Sequence, residues 1–380
     1  MVKFGSFVLI CVISVSAWAA DTSTMTLATS TVDKGLDYLK KNQQPDYGWQ
    51  GEVDPPGITA LVLKGFMEDE RYDADMPFLE NGFNKLLSYQ FSNGGIYKDA
   101  LANYNTAIAI SALAVSKEAE YKAPMAKAIA YLRSLQWSDK IEGSPTAITV
   151  GPDNIKYGGF GYGKAGRPDM SNTQWALEAL KEAGVPPSDP AFTAAMKFAS
   201  RCQNLSETND QKWAGDDGGF VYVDTGVAGS DPAGDYIGPD GRRMFHSYGS
   251  MTYAGLKSMI YAGVSKDDPR VKAAWGWIRN HFTVDENPGL AETGPQNTKG
   301  GLFYYYYTMA KALHAYGEPI IVDSQGQKHD WRAELTAKLN QLQAKEGSWV
   351  GQRKWMEDNP ILVTSYCVLA LEEIRKDLRQ

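Results

Sequence analysis

The sequence predicts an all-α fold, an α/α toroid of six helical hairpins with six inner and six outer helices, on three observations. A two-helix unit recurs six times, glycines and aromatic residues fall at matching places in each copy, and the second helix of each unit is more uniformly apolar than the first.

The first copy carries Leu36, Leu39 and Gln44, then Gly48-Trp49, then Thr59-Ala60-Leu61 running to Gly65. The second has Leu86, Leu87 and Gln90, Gly94-Gly95-Ile96-Tyr97, and Asn105-Thr106-Ala107 opening a helix to about Val115. In the third, Leu132 and Gln136 precede Gly158-Gly159-Phe160 and Asn172-Thr173-Gln174-Trp175. A fourth runs from Gln203 through Gly218-Gly219-Phe220 to Met251-Thr252-Tyr253 and Gly263. Trp277-Ile278 and His281, Gly300-Gly301-Leu302-Phe303-Tyr304 and Thr308 to Leu313 make the fifth. The last holds Leu339 and Gln343, Gly347-Ser348-Trp349, and Thr364 to Leu371. Gln44, Gln90 and Gln136 stand 46 residues apart, and later units lengthen through insertions in their turns.

Each part of the unit has a physical reason. Apolar residues three and four apart give the first helix a stripe that must be buried. Its terminal Gln can bond loop backbone and the carbonyls a helix end leaves unpaired. The Gly pair permits positive φ and close approach of backbones, and the aromatic that follows plugs neighbouring helices. Asn105 and Asn172 are expected as helix caps. A single hairpin cannot bury its own apolar face, so the units stack, and closing the stack into a ring removes its exposed ends. Six inner helices would then point their N-termini at one mouth, where function is expected.

Composition bounds the rest. The 380-residue chain is 43% hydrophobic and 22% charged, which suits a globular fold. Lys3, the apolar run Phe7 to Val15 and Ala17-Trp18-Ala19 read as a signal peptide over 1–19, followed by a short linker over 20–30 and a single toroid domain over 31–380. The run is too short for a membrane span, so no transmembrane segment is expected, and the protein is expected to be exported, to the periplasm or the medium. The full chain carries a net charge of −7, and nothing suggests a basic face for nucleic acid. Cys202 and Cys367 remain after processing and leave two options open, a disulfide or two buried thiols. Four dispersed His with no metal-ligand spacing indicate no metal, and no cofactor motif is present.

The succession of Gln, Gly-aromatic turn and Thr-initiated apolar helix resembles the repeats of the squalene-hopene cyclase, oxidosqualene cyclase and protein prenyltransferase β-subunit superfamily. The resemblance covers about Val32 to Ile374 and implies the toroid. Its best local match is Asp169-Met170-Ser171-Asn172-Thr173. There the squalene-hopene cyclases carry DxDDTA, whose middle Asp protonates the substrate alkene. Here Asp169 keeps the first acid, Ser171 stands at the middle one and Asn172 at the third. Serine cannot supply the strong acid which that reaction needs. Gly238-Pro239-Asp240-Gly241-Arg242 resembles the prenyltransferase segment whose Arg binds diphosphate, making Arg242 a candidate anion ligand. The family's zinc ligands, however, fall on Tyr248, Ser250 and the run Tyr304 to Tyr307, so no zinc site is implied.

Asp169 is therefore the candidate catalytic group. Asn172, Trp175, Arg242, His246, Tyr248, Tyr304 and Tyr305 are candidate ligand-binding residues, Arg242 and His246 lying on a long insertion that suits a binding element. Asp216-Asp217 could pair as carboxylates, but adjacent acids on a loop are usually solvated. The resemblance implies a toroid that binds, with or without transforming, an apolar isoprenoid or other lipid in an aromatic cavity. Two further readings stand beside it: a carbohydrate-active toroid, which needs a carboxylate pair across the mouth, and a non-catalytic exported scaffold. Oligomeric state is left open.

Overall fold

The computed structural model describes residues 7–49, 56–139, 148–163, 166–223, 229 and 231–380, with side chains from Asp21 onward. Its helices are α1 Phe7–Lys41, α2 Pro56–Met67, α3 Pro77–Leu87, α4 Ala102–Ser116, α5 Lys122–Arg133 and α6 Met170–Glu182. The second half contributes α7 Pro190–Arg201, α8 Gly249–Tyr261, α9 Pro269–His281, α10 Leu302–Tyr316, α11 Trp331–Leu342 and α12 Pro360–Asp377. Strands are confined to three two-stranded pairs: β1 Trp137–Ser138 with β2 Ile148–Thr149, parallel, and two hairpins, β3 Asp235–Ile237 with β4 Arg243–Phe245 and β5 Ile320–Val322 with β6 Lys328–Asp330. The first six residues of the expected leader, and its side chains, lie outside the described residues. Residues 20–30, expected as a linker, are instead the middle of α1, where Ala28 is already in the core. Among the described residues no helix is long and apolar enough to cross a membrane.

Packing follows a simple rule. Each even-numbered helix packs against the next, α2 on α4, α4 on α6, α6 on α8, α8 on α10 and α10 on α12, and α12 returns to α2. The odd-numbered helices lie against this circuit, and α1 also meets α11 and α12. The even helices are buried nearly end to end, as a helix apolar all round must be.

The recurring Gln explains the register. Gln90 Nε2 donates to the carbonyls of Gly94 (3.1 Å) and of Pro124 in α5 (2.8 Å). Gln136 does the same to Gly158 and to Ala191 in α7, both at 2.9 Å. Gln203 reaches Gly218 (2.9 Å) and Arg270 in α9 (2.8 Å). Gln343 reaches Gly347 and, across the seam, Thr31 in α1, both at 3.0 Å. One amide thus ties its own glycine turn to the first part of the next odd-numbered helix, or to the body of α1 at the seam. In the first unit the residue in this role is Gln43, which donates to Tyr47 and Phe78. Gln44, the residue expected there, caps locally on Asn42.

The glycine is fixed by the same contact. Gly158 has φ +87°, and a Cβ there would stand 1.8 Å from the Ala194 carbonyl oxygen of α7. Gly94, Gly218 and Gly347 meet the next odd helix in the same way. A threonine then holds the plug: the hydroxyls of Thr59, Thr106, Thr173, Thr252 and Thr364 accept the backbone N–H of Trp49, Ile96, Phe160, Phe220 and Trp349 at 3.1–3.2 Å.

Three local expectations are corrected. Asp169, not Asn172, is the N-cap of α6, and Asn105 lies inside α4, accepting the Gly57 N–H at 2.8 Å. In the fifth unit Gly300-Gly301 forms no Gly-aromatic turn: Gly301 is the N-cap residue of α10, whose first turns are Leu302 to Tyr307. That unit ends its first helix in His281, stacked on Trp277, so the Gln tie is missing there. Of the two options left open for Cys202 and Cys367, the structure shows both buried and not joined to each other.

Gln136→Ala is expected to strand two buried carbonyls and lower unfolding free energy by roughly 2–4 kcal/mol. Urea denaturation followed by far-UV circular dichroism checks this, and a change below half a kcal/mol would discount the tie.

Candidate functional site

The first two turns of all six even-numbered helices surround one cavity of about 480 Å³. Two other depressions, of about 390 and 370 Å³, lie beside Gln44 and Asn359 and beside Lys197 and Arg270. Only the first draws on the whole circuit. Ile58 and Leu61 of α2, Ile108 of α4, Met251 of α8 and Leu362 of α12 give it aliphatic walls. Rings from Tyr104, Trp175, Tyr304 and Tyr366 complete them, and Tyr162, Tyr222, Tyr248, Trp355 and Met356 come from the loops. Trp355 and Met356 remain 45% and 41% exposed and both adopt positive φ, so two apolar side chains are held toward solvent on backbone that L-residues rarely adopt.

Hydroxyls form a belt in this wall. Tyr104 donates to Ser171 Oγ (2.8 Å), Ser171 and Tyr304 share a bond of 3.0 Å, and Gln174 Nε2 donates to the Tyr304 phenol at 3.0 Å. Tyr162 and Tyr222 share another at 2.7 Å.

Behind the belt sit buried carboxyls. Asp169 Oδ1 accepts the Asn172 N–H at 2.7 Å and Oδ2 accepts Asn172 Nδ2 at 2.8 Å. Burial pushes its carboxyl up to about 7, against the pull of those Asn172 bonds. Burial does the same to Asp231, which accepts the Tyr222 N–H, and to Glu357, each pushed up to about 7. Glu357 Oε1 takes the N–H groups of Phe303 and Tyr304 at 2.9 Å and so caps α10, supplying from the sixth unit what the fifth lacks.

The deeper, C-terminal halves of the even helices carry a buried ion cluster. Lys64 bonds Glu178 (2.8 Å) and Glu182 (2.8 Å), Lys257 pairs with Glu178, and Lys311 bonds Glu182 (2.8 Å) and Glu373 (3.0 Å). Although burial opposes it, the charges of Lys257, Lys64 and Lys311 hold Glu178 well below the usual carboxylate range. Burial pulls Lys257 down despite its partner. Tyr307 donates to Glu178 and stacks on Trp175 at 5.1 Å, joining the ionic floor to the aromatic wall.

Of the residues expected from sequence, Trp175, Tyr248 and Tyr304 line the cavity. Asp169 and Asn172 are buried behind it as a hydrogen-bonded pair. Tyr305 points elsewhere, its hydroxyl on the Thr283 carbonyl (2.8 Å) and its ring against Tyr253. Arg242 is half exposed in the β3–β4 turn, bonded to Asp240 and to the Lys212 carbonyl, and His246 packs on Tyr236. Neither lines the cavity. Asp216 and Asp217 fasten loops, through Ser206 and through Gly219 and Ser247. None of the described lining residues is a carboxylate.

The ion cluster was missed, yet it has a sequence signal. Lys64, Glu178 and Lys257 each stand five residues after the threonine that holds the plug, and Lys64 and Lys257 are the only charged residues of α2 and α8.

No protein-family model matches this chain, and no curated protein does. Solved structures of type II terpene cyclase MstE from Scytonema are similar to it. A variant in complex with the substrate geranylgeranyl dihydroxybenzoate shares 14% identity with a TM-score of 0.55, over 94% of this chain and 99% of that one. A second variant, in complex with the product merosterolic acid A, gives 13% and 0.56 over the same shares. The apo enzyme gives 12% and 0.55 over 93% and 99%. At such identities the likeness is one of fold: the chain has a terpenoid cyclase-like, mostly helical fold.

Two outcomes are expected. Lys257→Met leaves Glu178 short of a buried counter-charge and should cost roughly 3–5 kcal/mol in chemical denaturation. Asp169 binds its proton more tightly folded than unfolded, so its contribution to stability is full below about pH 4 and is lost as pH rises through about 7. Asp169→Asn should therefore flatten the fall in urea midpoint between about pH 5 and pH 8. An unchanged slope would mean that Asp169 is ionised throughout.

Proposed function

We propose that this chain is an exported α/α toroid of six hairpins, even-numbered helices inside and odd-numbered helices outside, that binds an apolar isoprenoid or other lipid in its central cavity. The observation that carries the reading is the cavity itself: about 480 Å³, walled by aliphatic and aromatic side chains from six helices. The closed circuit of even helices and the Gln343 bond to Thr31 support the ring. Structural neighbours of the same fold bind a geranylgeranyl substrate and its product, which supports an isoprenoid as ligand class.

Chemistry on that ligand would differ from proton-initiated cyclisation. The position of the alkene-protonating acid is Ser171, a neutral hydroxyl in a chain of neutral hydroxyls. Asp169 has both carboxylate oxygens engaged by Asn172 and does not line the cavity. Its role in this reading is to hold the start of α6, and hence Ser171 and Trp175, in place. The Tyr248 and Ser250 positions leave no thiolate or carboxylate for zinc, so the reading requires neither metal nor cofactor.

Protein purified after exposure to a membrane lipid extract should carry bound isoprenoid or lipid recoverable by organic extraction and mass spectrometry. Leu61→Trp, which fills the cavity from α2, should lower that recovery at least tenfold while the protein stays folded. Equal recovery from both proteins, or none from either, would sink the reading.

A further inference from the structure

The cavity wall carries hydroxyl protons as well as apolar surface. Tyr104, Ser171 and Tyr304 contribute three O–H groups. Two bonds join them, Tyr104 to Ser171 at 2.8 Å and Ser171 with Tyr304 at 3.0 Å, and each consumes one proton. Gln174 Nε2 gives the Tyr304 oxygen a further hydrogen bond rather than taking one. One O–H of these three is therefore left with no partner within the chain, on Ser171 or on Tyr304 according to which of them donates in their shared bond, and the Oε1 of the adjoining Gln174 amide is itself buried and unpaired. Both residues line the cavity. Ser171 is buried and Tyr304 partly so, and a donor shut away from water without an acceptor costs about 1–3 kcal/mol.

We propose that this surplus donor is the ligand's polar anchor, so that the cavity takes a mono-oxygenated lipid whose oxygen accepts a hydrogen bond from the Tyr104–Ser171–Tyr304 chain. The inference rests on the lipid-binding reading above and narrows it. Size narrows it further. At about 30 Å³ for each non-hydrogen atom, the share of one molecule in liquid water, a chamber of 480 Å³ holds on the order of 16 such atoms. That is an isoprenoid of roughly fifteen carbons with one oxygen. A thirty-carbon hydrocarbon exceeds that volume and would extend out of the cavity's open side. The acceptor is an alcohol, ether or carbonyl oxygen rather than an anion, since the donor is a single neutral hydroxyl and no cation is among the described lining residues.

The full chain is titrated with farnesol, farnesyl methyl ether, farnesene and squalene by equilibrium dialysis. Farnesol and the ether should bind about tenfold more tightly than farnesene, as one net hydrogen bond implies, and squalene more weakly than any of them. The ether tests direction, because it can only accept. All three hydroxyls must go to remove the surplus, since any one left standing keeps a proton. The combined variant Tyr104→Phe, Ser171→Ala and Tyr304→Phe should therefore lose the preference for farnesol over farnesene, with its near-UV circular dichroism showing that it is folded. Equal affinity of the unaltered chain for farnesol and farnesene would mean that the wall satisfies its own proton, the Gln174 amide turned to accept it, and would overturn the anchor while leaving lipid binding intact. A preference for farnesol that survives in the triple variant would overturn it as well. Binding of none of the four would overturn both this proposal and the reading beneath it.

Discussion

A glutamine amide that bonds two carbonyls at once is the contact on which the rest of the architecture depends. Helix ends leave unpaired carbonyls, and glycine turns leave more. Gln90, Gln136, Gln203 and Gln343 answer both with one side chain, one bond inside the unit and one into the next. The spacing between units is thereby set by the reach of a single amide. It is so short that Gly158 could not carry a methyl group without meeting Ala194. Once that step is fixed, the even helices have no choice of neighbour, and their first turns must converge.

What they converge on is divided along the axis. Near the N-termini the walls are rings and aliphatic chains; deeper down, three lysines and three glutamates neutralise one another in the dry interior. Six like-directed helices place partial positive charge at the mouth and partial negative charge at the far end. The buried carboxyls of Asp169 and Glu357 sit at helix starts, and the amines of Lys64, Lys257 and Lys311 sit in the C-terminal halves, each on the side its charge prefers. The cluster also closes the chamber, with Tyr307 and Trp175 as the layer between.

Much of this was legible in sequence because its causes recur. Gln, positive-φ glycine and helix threonine keep the same order from copy to copy, so they can be read, although the Gln side chain also reaches a carbonyl in the next unit. Where a local cause is replaced by a distant one, the reading fails. His281 in place of Gln hides the fact that α10 is capped by Glu357, and Asn172 resembles a cap until Asp169 is seen to hold its N–H. The tyrosine run shows the same limit. Consecutive residues of one helix divide between two faces: Tyr304 and Tyr307 lie against Trp175 and reach the cavity and the ion cluster, while Tyr305 and Tyr306 reach the carbonyls of Thr283 and Val284. Arg242 and His246 drew notice through composition and a short motif, and neither encodes where an insertion folds back. Lys64, Glu178 and Lys257 were readable in principle through their common offset from threonine, a pattern that emerges only when the copies are superposed.

The seam where Gln343 grips Thr31 has a consequence for assembly. Helix α1 has its chief partners in α11 and α12, some three hundred residues away, so the opening hairpin cannot complete its packing until the last one exists. Contacts of such sequence separation slow folding and leave apolar surface uncovered in the meantime. A ribosome still synthesising this chain would hold an arc with one sticky margin, a topological delay before the structure locks.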